Sequence, residues 1–532
     1  MAALARQMRK TKVGTVIVDV FDCITLSSSR EKASEETRCH DPHLCLLVFL
    51  LQGWLGWVDT ECHTYLVFQY LDQSNVTNAY VSGMKEDIGA KGNDLNYFNV
   101  AFYTAYVVGQ IPLMALQTRP TLAPYFLPTL EIIWAVLTFC QSRVTKPEHL
   151  YIVRAFVGFF EAPSFGATHL ILGSWYRKEE VFKRAAVFFM GNSLGSMLSG
   201  YIQAAAYKHL NGTLGLAGWR WLFVIDGAIT LPIAFIGFLL FPGLPNSPKR
   251  WFFTDAEYEL ATTRMPKNDG KGGINFASIK RTLKRPMWWI CVPAYICMIQ
   301  STYWTGYMTL WLKAAKLPNG KAKYSVELIN ILPTFLNLVQ AFSSWLGTTL
   351  AGVISIRIMW SFPNFWILFS TIVLTVWFVP DGLKFMAFYV SGFSAMSSPI
   401  LYSWINATLV NDTAERGFII SSMMTLGYCT YVWVPLFTFP TVQSPRFQHG
   451  YPASIAFTVA LWAIVMFGMW FMDRKKRREA DAENVNGSRP VSEDGKGDGS
   501  EDDYSDGEKT PQRGTDNVPT VGVLASATVP TL

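Results

Sequence analysis

Two charged residues inside one apolar stretch are the most informative chemistry in the sequence. The stretch Leu150–Pro163 reads LYIVRAFVGFFEAP and contains Arg154 and Glu161. A seven-residue spacing places both on one helix face with about 10 Å of rise between them, too far for a close pair. An Arg facing a cavity can bind a carboxylate through two hydrogen bonds, while a nearby Glu gains and loses a proton. The pattern predicts a site for proton-coupled anion uptake; the alternative is that Arg154 only holds neighbouring helices together.

Other polar residues also lie in apolar stretches, where an ionisable group costs about 2.5–3.5 kcal/mol. We expect Asp72 and Asp226 to join Glu161 as proton-coupling residues, although either could instead pair with Arg154, and Asp226 could only anchor the turn at Gly227. Uncharged residues that could line a cavity are Asn99, Gln110, Gln300, Tyr303, Asn337, Gln340 and Asn406. Four of these are predicted to bind the substrate together with Arg154, namely Asn99, Gln110, Tyr303 and Asn406.

The elements that must position these residues are membrane helices. Half of the 532 residues are hydrophobic and 16% are charged, against about 25% charged in average soluble proteins. Apolar runs are expected at 46–72, 95–116, 122–141, 149–172, 185–206 and 220–241, and then at 287–312, 328–350, 363–380, 384–408, 417–440 and 453–472. Each is long enough to cross a bilayer as a helix. The sequence therefore predicts an all-α membrane protein with twelve transmembrane helices in two six-helix bundles.

The predicted organisation has five parts. A cytoplasmic segment (1–45) precedes the first bundle (46–241), and a central cytoplasmic loop (242–286) leads to the second bundle (287–473) and an acidic tail (474–532). The Lys/Arg bias of the polar breaks places 173–184, 243–285 and 473–478 on the cytoplasmic side, and with them both termini. From Glu479 the tail is expected to be disordered, because it has too few apolar residues to offset the entropy of ordering.

Several function classes are disfavoured. The eight cysteines form no Cys-x-x-Cys and no Cys/His spacing of metal-ligand type, so we expect neither a metal site nor a disulfide framework. No Walker or dinucleotide-binding motif occurs, and the Gly-x-Ser-x-Gly match at Gly191–Gly195 lies inside a predicted span, so we expect no enzyme and no cofactor. The net charge of +6 comes without a Lys/Arg stripe on a soluble domain, which disfavours nucleic acid and leaves the lipid bilayer as partner. The sequon at Asn211 falls in a predicted external loop and is a candidate glycosylation site.

Three stretches resemble a known family. They are Asn78–Asp87 followed by Asn93–Asn99, then Arg154-x3-Gly158-x2-Glu161-Ala-Pro163 followed by Trp175-Tyr176 and Arg184, and finally Gly218–Phe223. Together they are similar to the major facilitator superfamily, in the fungal anion:cation symporter group that includes allantoate permease, and most of all to its pantothenate transporter branch. The resemblance implies uptake of a small organic anion with protons across the fungal plasma membrane by alternating access. It also implies that Arg154 and Glu161 match the group's fourth-span motif, and Asp72 its first-span acidic position.

The chain departs from that family in its first span, where Asp59, Glu61 and His63 interrupt the apolar run. Carrying them through lipid would cost several kcal/mol, so that span either starts near Thr64 or has an unusual beginning. The substrate also stays open. Alternatives to pantothenate are another carboxylate such as biotin, an allantoate-like compound or a fungal secondary metabolite. A transporter-like nutrient sensor is a further alternative.

Overall fold

The structure is a computed structural model that describes residues 67–175, 178–256, 258–259, 276–350, 354–409 and 413–487. Nearly all of the described chain is helical. The described residues up to Asp473 form one compact unit, and those from Arg474 belong to a second. Of the second unit, residues 474–487 are described, and they are helical.

Seven helices make up the N half, which we define as residues 67–240. The first, α1, spans 67–79 and continues through a π-helical turn (Tyr80–Met84) to Asp87. The others are α2 (Asp94–Gln117), α3 (Ala123–Gln141), α4 (Pro147–Glu161), α5 (Ser164–Trp175), α6 (Lys178–Leu210) and α7 (Gly218–Leu240). Helix α4 ends just before Pro163, which has no backbone N–H to continue it.

The C half is defined as residues 286–473 and follows a short helix, α8 (Phe276–Leu283). It begins with α9 (Pro286–Ser301), a 3₁₀ turn (Tyr303–Tyr307) and α10 (Met308–Ala314), followed by α11 (Val326–Leu350) and α12 (Ile356–Val376). Next come α13 (Asp381–Val390), a 3₁₀ turn (Ser391–Met396) and α14 (Ser397–Thr408), then α15 (Thr413–Thr438) and α16 (Gly450–Gly487).

The helices confirm the twelve-span architecture. Seven described helices are each long and apolar enough to cross a membrane, namely α2, α3, α7, α11, α12, α15 and the part of α16 up to Lys475. The remaining spans are α1, α6 and the interrupted pairs α4–α5, α9–α10 and α13–α14. Interrupted helices are compatible with a membrane where the irregular backbone is buried in protein or lines a cavity.

Four predicted boundaries are wrong. The fifth span was expected to begin at residue 185, but α6 begins at Lys178. The first span was expected to end at residue 72, but α1 continues to Asp87 because its polar side chains bond to other helices: Asn78 donates to Ser199 Oγ at 2.8 Å. The ninth span was expected to begin at residue 363, but it begins at Ile356, because Arg357 in its first turn forms an ion pair with Asp473. Helix α16 ends at Gly487, inside the tail expected to be disordered from Glu479, because its Arg, Ala and Glu residues are good helix formers. The unusual Asp59, Glu61 and His63 lie outside the described residues.

Glycines allow close helix contacts in the N half. A Cβ on Gly158 of α4 would lie 2.3 Å from the carbonyl oxygen of Phe102 on α2, and one on Gly195 of α6 would lie 2.2 Å from that of Val67 on α1. Both neighbours are backbone atoms, which no rotamer change can move away. These contacts fix the spacing of the helices that carry Arg154 and Asp72.

We expect Gly158→Ala to destabilise the protein, because α2 and α4 must separate to admit the methyl group. Overpacking of this kind typically costs about 1–3 kcal/mol. The measurement is the apparent melting temperature in detergent by size-exclusion chromatography of heated samples. Gly382→Ala is the control, since a Cβ there has no neighbour within 4 Å. Equal melting temperatures for the two variants would contradict the close contact.

Candidate functional site

A cavity of about 460 Å³ lies between the N half and the C half. The side chains that line it, among the residues the structure describes, are uncharged. They include Asn192 and Gln73 from the N half and Asn337 and Gln340 from the C half. Six tyrosines also contribute: Tyr70, Tyr103, Tyr295, Tyr402, Tyr428 and Tyr431. This lining offers many neutral hydrogen-bond donors and acceptors beside aromatic faces, and the sequence-based prediction of Asn337 and Gln340 as lining residues agrees with it.

Two interrupted helices of the C half supply part of the lining. Thr305 and Gly306 belong to the 3₁₀ turn between α9 and α10, and Ser394 and Ala395 to the turn between α13 and α14. Discontinuous helices commonly surround substrate sites in secondary transporters, because unwound backbone is tolerated where it faces a cavity.

Arg154 lies in the N half behind the cavity wall and is paired with Asp72. Its Nη1 is 3.9 Å from Asp72 Oδ2, and each side chain is 2% exposed. The guanidinium stacks over the Phe102 ring at 4.3 Å, and Thr138 donates a 3.0 Å hydrogen bond to Asp72 Oδ1. Of the partners that the sequence left open for Arg154, the structure selects Asp72, and neither member of the pair lines the cavity.

Glu161 is fully buried and is separated from the cavity by one side chain. The amide Nε2 of Gln73 donates a hydrogen bond to Glu161 Oε1. Gln73 itself is half-buried and lines the cavity. The seven-residue spacing that excluded a close pair with Arg154 thus directs Glu161 toward a different neighbour on α1.

Asp226 also faces α1. Asn75 donates to Asp226 Oδ2 at 2.6 Å, and Thr230 donates to its Oδ1 at 3.0 Å. Asn75 in turn accepts a 2.7 Å hydrogen bond from Ser199 on α6. Asp226 is therefore held by neutral donors rather than by Arg154. Three buried carboxyls, Asp72, Glu161 and Asp226, consequently gather around α1 with one guanidinium among them.

The remaining predicted substrate-binding residues lie in different places. Asn99 is a hydrogen-bond partner of Tyr303, which packs against Tyr431 with ring centroids 5.3 Å apart. Gln110 accepts a 3.2 Å hydrogen bond from Thr425, which joins α2 to α15. These residues support the cavity wall without lining it. Asn406 is exposed near the end of α14 and is not part of the lining.

Asn211, the predicted glycosylation site, is exposed in the α6–α7 loop. Its Oδ1 accepts a 2.8 Å hydrogen bond from the backbone N–H of Gly218.

Gln73 and the cavity tyrosines were missed by sequence reasoning. The signal for Gln73 was its place beside Asp72 in a helix, whereas tyrosines in spans are equally typical of packing.

One end of the bundle, which we call the closed end, is defined by Ser82, Glu86, Asn96, Tyr307 and Phe439, where the two halves touch. Asn96 Nδ2 donates to the carbonyl oxygen of Phe439 at 2.8 Å, and Tyr307 Oη donates to Asn96 Oδ1 at 2.7 Å. Asn330 donates to Ser82 Oγ at 2.9 Å. These buried hydrogen bonds between halves separate the cavity from the surface at this end.

Two ion pairs between the halves add to the closed end. Lys313 donates to Glu86 Oε1 at 2.9 Å, and Lys208 lies 3.6 Å from Glu327.

Comparison with known proteins places the chain among transporters. The family model described as Major Facilitator Superfamily matches residues 64–435. The chain is 33% identical over 395 residues to a pantothenate transporter of Schizosaccharomyces pombe, covering 73% of this chain and 75% of that protein. It is 34% identical over 429 residues to the vitamin H transporter of Saccharomyces cerevisiae, covering 77% and 70%.

Solved structures show the same fold. The proton:xylose symporter XylE superposes with a TM-score of 0.58 at 13% identity, covering 79% of this chain and 96% of that chain. A bacterial homologue of the human lysosomal transporter Spinster, in an inward-facing and occupied conformation, superposes with a TM-score of 0.54 at 14% identity, covering 80% and 97%. At these identities the likeness extends to the fold alone.

We expect Tyr307→Phe to loosen the closed end, because it removes a hydrogen bond between the halves worth about 0.5–1.5 kcal/mol. That corresponds to a roughly 2- to 12-fold shift in population toward separated halves. Spin labels on cysteines at the exposed Lys91 and Lys321, with the native cysteines replaced, would report a longer distance by pulsed electron paramagnetic resonance.

Tyr151→Phe is the matched control for this measurement. It removes a hydroxyl that donates to Asp94 at 2.7 Å within the N half. A distance distribution unchanged by Tyr307→Phe, or changed equally by both variants, would refute the role of Tyr307 in closing this end.

We expect Arg154→Met to destabilise the protein strongly, because it leaves Asp72 buried without its cation. Breaking a buried pair typically costs about 3–5 kcal/mol. Adding Asp72→Asn should recover most of the lost melting temperature. Lys249→Met, which breaks the ion pair with the exposed Asp255, is the control and should have little effect. A double variant no more stable than Arg154→Met would show that Asp72 is not the partner that matters.

Proposed function

Because the chain belongs to the major facilitator superfamily, we propose that it is a secondary transporter that takes up a small organic anion such as pantothenate together with protons. The observation that carries the proposal is the set of three buried carboxyls along α1 with one guanidinium among them, of which Glu161 lies one side chain behind an uncharged cavity. Transport would proceed by alternating access of the N half and the C half.

Charge balance supports proton coupling. Arg154 compensates one carboxylate, and Asp72 is the one it contacts. Glu161 and Asp226 receive hydrogen bonds from neutral amides and a hydroxyl, which stabilise a carboxylate less than a cation does. Uncompensated buried charge is expensive, so proton exchange at Glu161 or Asp226 can follow changes in their surroundings. Glu161 is the better candidate because Gln73 connects it to the cavity.

The cavity supports an anionic, polar substrate of vitamin size. Its volume falls in the range typical of small-molecule sites. Tyrosine hydroxyls and the amides of Asn192, Asn337 and Gln340 can donate hydrogen bonds to a carboxylate, a hydroxyl or an amide. Pantothenate has all three groups. Biotin has a carboxylate and a cyclic urea, and the similarity to a vitamin H transporter makes it the second candidate.

The closed end suggests the sidedness of transport. The Lys/Arg bias places residues 173–184 and 243–285 in the cytoplasm, opposite the loops that join α1 to α2 and α10 to α11. On this orientation the closed end faces the outside and both termini are cytoplasmic. We propose the plasma membrane as the site of uptake, with Asn211 on the outer surface available for glycosylation.

The test is uptake of labelled pantothenate in yeast that lacks its own transporter and expresses this chain. We expect faster uptake at pH 5 than at pH 7, because protons are a co-substrate, and collapse of accumulation by a protonophore. Excess unlabelled biotin distinguishes the two candidates, since competition would show a shared site. Absent uptake of both vitamins despite surface expression would refute the proposed substrates.

We expect Glu161→Gln to abolish proton-driven accumulation while counterflow exchange of labelled for unlabelled substrate remains measurable. A neutral amide can hold the hydrogen bond to Gln73 but cannot carry a proton through the cycle. Glu148→Gln, an exposed change in the first turn of the same helix, is the control. Protonophore-sensitive accumulation that survives in Glu161→Gln would exclude Glu161 from coupling.

A further inference from the structure

We propose that Gln73 transmits the protonation state of Glu161 to the cavity by turning its side-chain amide, so that the cavity accepts an anion when Glu161 carries a proton. The inference deepens the proposed function and rests on it for the anionic substrate. It concerns a residue that links two sites, the buried acid and the substrate cavity.

The geometry that carries the proposal is the position of one amide between two environments. Gln73 lines the cavity, and its Nε2 donates to Oε1 of the fully buried Glu161. A glutamine amide has two donors on nitrogen and an acceptor on oxygen. Its last torsion is broad and roughly two-fold, so a half turn exchanges nitrogen and oxygen in nearly the same volume.

The other groups around Glu161 come from several helices. The ionisable groups that interact with it electrostatically are Asp72 on α1, Tyr103 and Tyr106 on α2, Arg154 on α4, Asp226 on α7 and Tyr428 on α15, and Gln69 on α1 is a further hydrogen-bond partner. Arg154, the cation in this set, contacts Asp72. Tyr103 and Tyr428 also line the cavity, but the hydrogen bond from Gln73 is the direct connection.

When Glu161 is ionised, its two oxygens only accept hydrogen bonds. The Gln73 amide must then direct its NH₂ group to Glu161, as observed. Its carbonyl oxygen is consequently turned toward the cavity side. A carbonyl oxygen there repels an incoming carboxylate, because both carry negative charge density and neither has a hydrogen to donate.

When Glu161 is protonated, its O–H becomes a donor and needs an acceptor. The Gln73 carbonyl oxygen supplies one after a half turn of the amide. The NH₂ group then faces the cavity and offers its N–H groups to a substrate carboxylate. Hydrogen bonds to a charged group are stronger than neutral ones, so the protonated state should bind the anion at least about tenfold more tightly.

The coupling is reciprocal. If the proton on Glu161 tightens anion binding, a bound anion must favour the proton by the same factor. The two co-substrates would therefore load together, although the proton and the anion never touch. An uncharged cavity wall is compatible with anion uptake under this arrangement, because the wall changes its polarity rather than its charge.

The first experiment measures binding of labelled pantothenate to the purified full-length protein between pH 5 and pH 8. We expect the wild-type affinity to fall about tenfold or more across this range. Gln73→Met, which keeps the side-chain length and removes the amide, should lose about tenfold in affinity at pH 5 and become nearly independent of pH. Glu161→Gln should keep the low-pH affinity at every pH, because its NH₂ group donates to Gln73 as a protonated acid would.

Gln340→Met is the matched control, since Gln340 is a cavity glutamine on α11 of the C half. Whatever its effect on affinity, the pH slope of binding should remain that of the wild type. A wild-type slope in Gln73→Met would overturn the proposal. Size-exclusion profiles and melting temperatures show whether each variant is folded.

A second measurement separates this proposal from the choice of substrate. Infrared difference spectra between pH 8 and pH 5, without any substrate, should show a protonated carboxyl band that Glu161→Gln removes. They should also show a shift of a glutamine side-chain carbonyl band that both Gln73→Met and Glu161→Gln remove. If the wild-type protein binds no pantothenate but shows both band changes, the proposed substrate is wrong and the turn of the Gln73 amide is supported. A glutamine shift that persists in Glu161→Gln would refute the turn.

Discussion

The buried pair of Arg154 and Asp72 is the constraint on which the rest of the N half depends. A guanidinium that is 2% exposed needs a compensating anion, and the carboxylate of Asp72 on α1 provides it at 3.9 Å. This contact holds α1 against α4, and glycine contacts such as Gly158 against Phe102 allow the backbones to approach. Once α1 is held there, the position of each of its polar side chains is determined. Asp72 contacts Arg154, Gln73 contacts Glu161 and lines the cavity, and Asn75 contacts Asp226.

The same constraint explains why α1 extends so far past its apolar part. The segment from Asp72 to Asn78 is polar enough to be mistaken for the start of a loop. In the folded protein each of its polar groups has a use, since Asn75 and Asn78 bond to Ser199 or Asp226 while Gln73, Ser74 and Thr77 line the cavity. A helix in a membrane satisfies its own backbone, so its side chains are free to satisfy each other across the bundle. The polar residues of a span then belong to contacts between helices, and a hydropathy profile of the sequence does not detect such contacts.

Sequence reasoning was sufficient for features whose energetic cost is local. Twelve apolar runs predicted the spans, and the expense of ionisable groups in lipid singled out Asp72, Arg154, Glu161 and Asp226, all of which are buried. Helical geometry also predicted that Arg154 and Glu161 would find separate partners. What the sequence left open depends on three dimensions: which carboxylate contacts Arg154, which amide contacts Glu161, and which polar residues face the cavity. Asn406 illustrates the limit, because its polarity suggested a cavity position while the packing of α14 leaves it exposed.

The separation of charge from the cavity wall has a consequence for specificity. A cation in the wall would attract every carboxylate and would have to be dehydrated for each one, whereas neutral amides and hydroxyls discriminate by the arrangement of their hydrogen bonds. In this protein the charged groups lie behind the wall in the N half, and much of the uncharged lining comes from α9, α11 and α15 of the C half. The lining can therefore change to suit a different carboxylate without disturbing the buried charges. Under the proposed mechanism, recognition of the cargo and coupling to protons would then be separable properties that meet at a single side chain, Gln73.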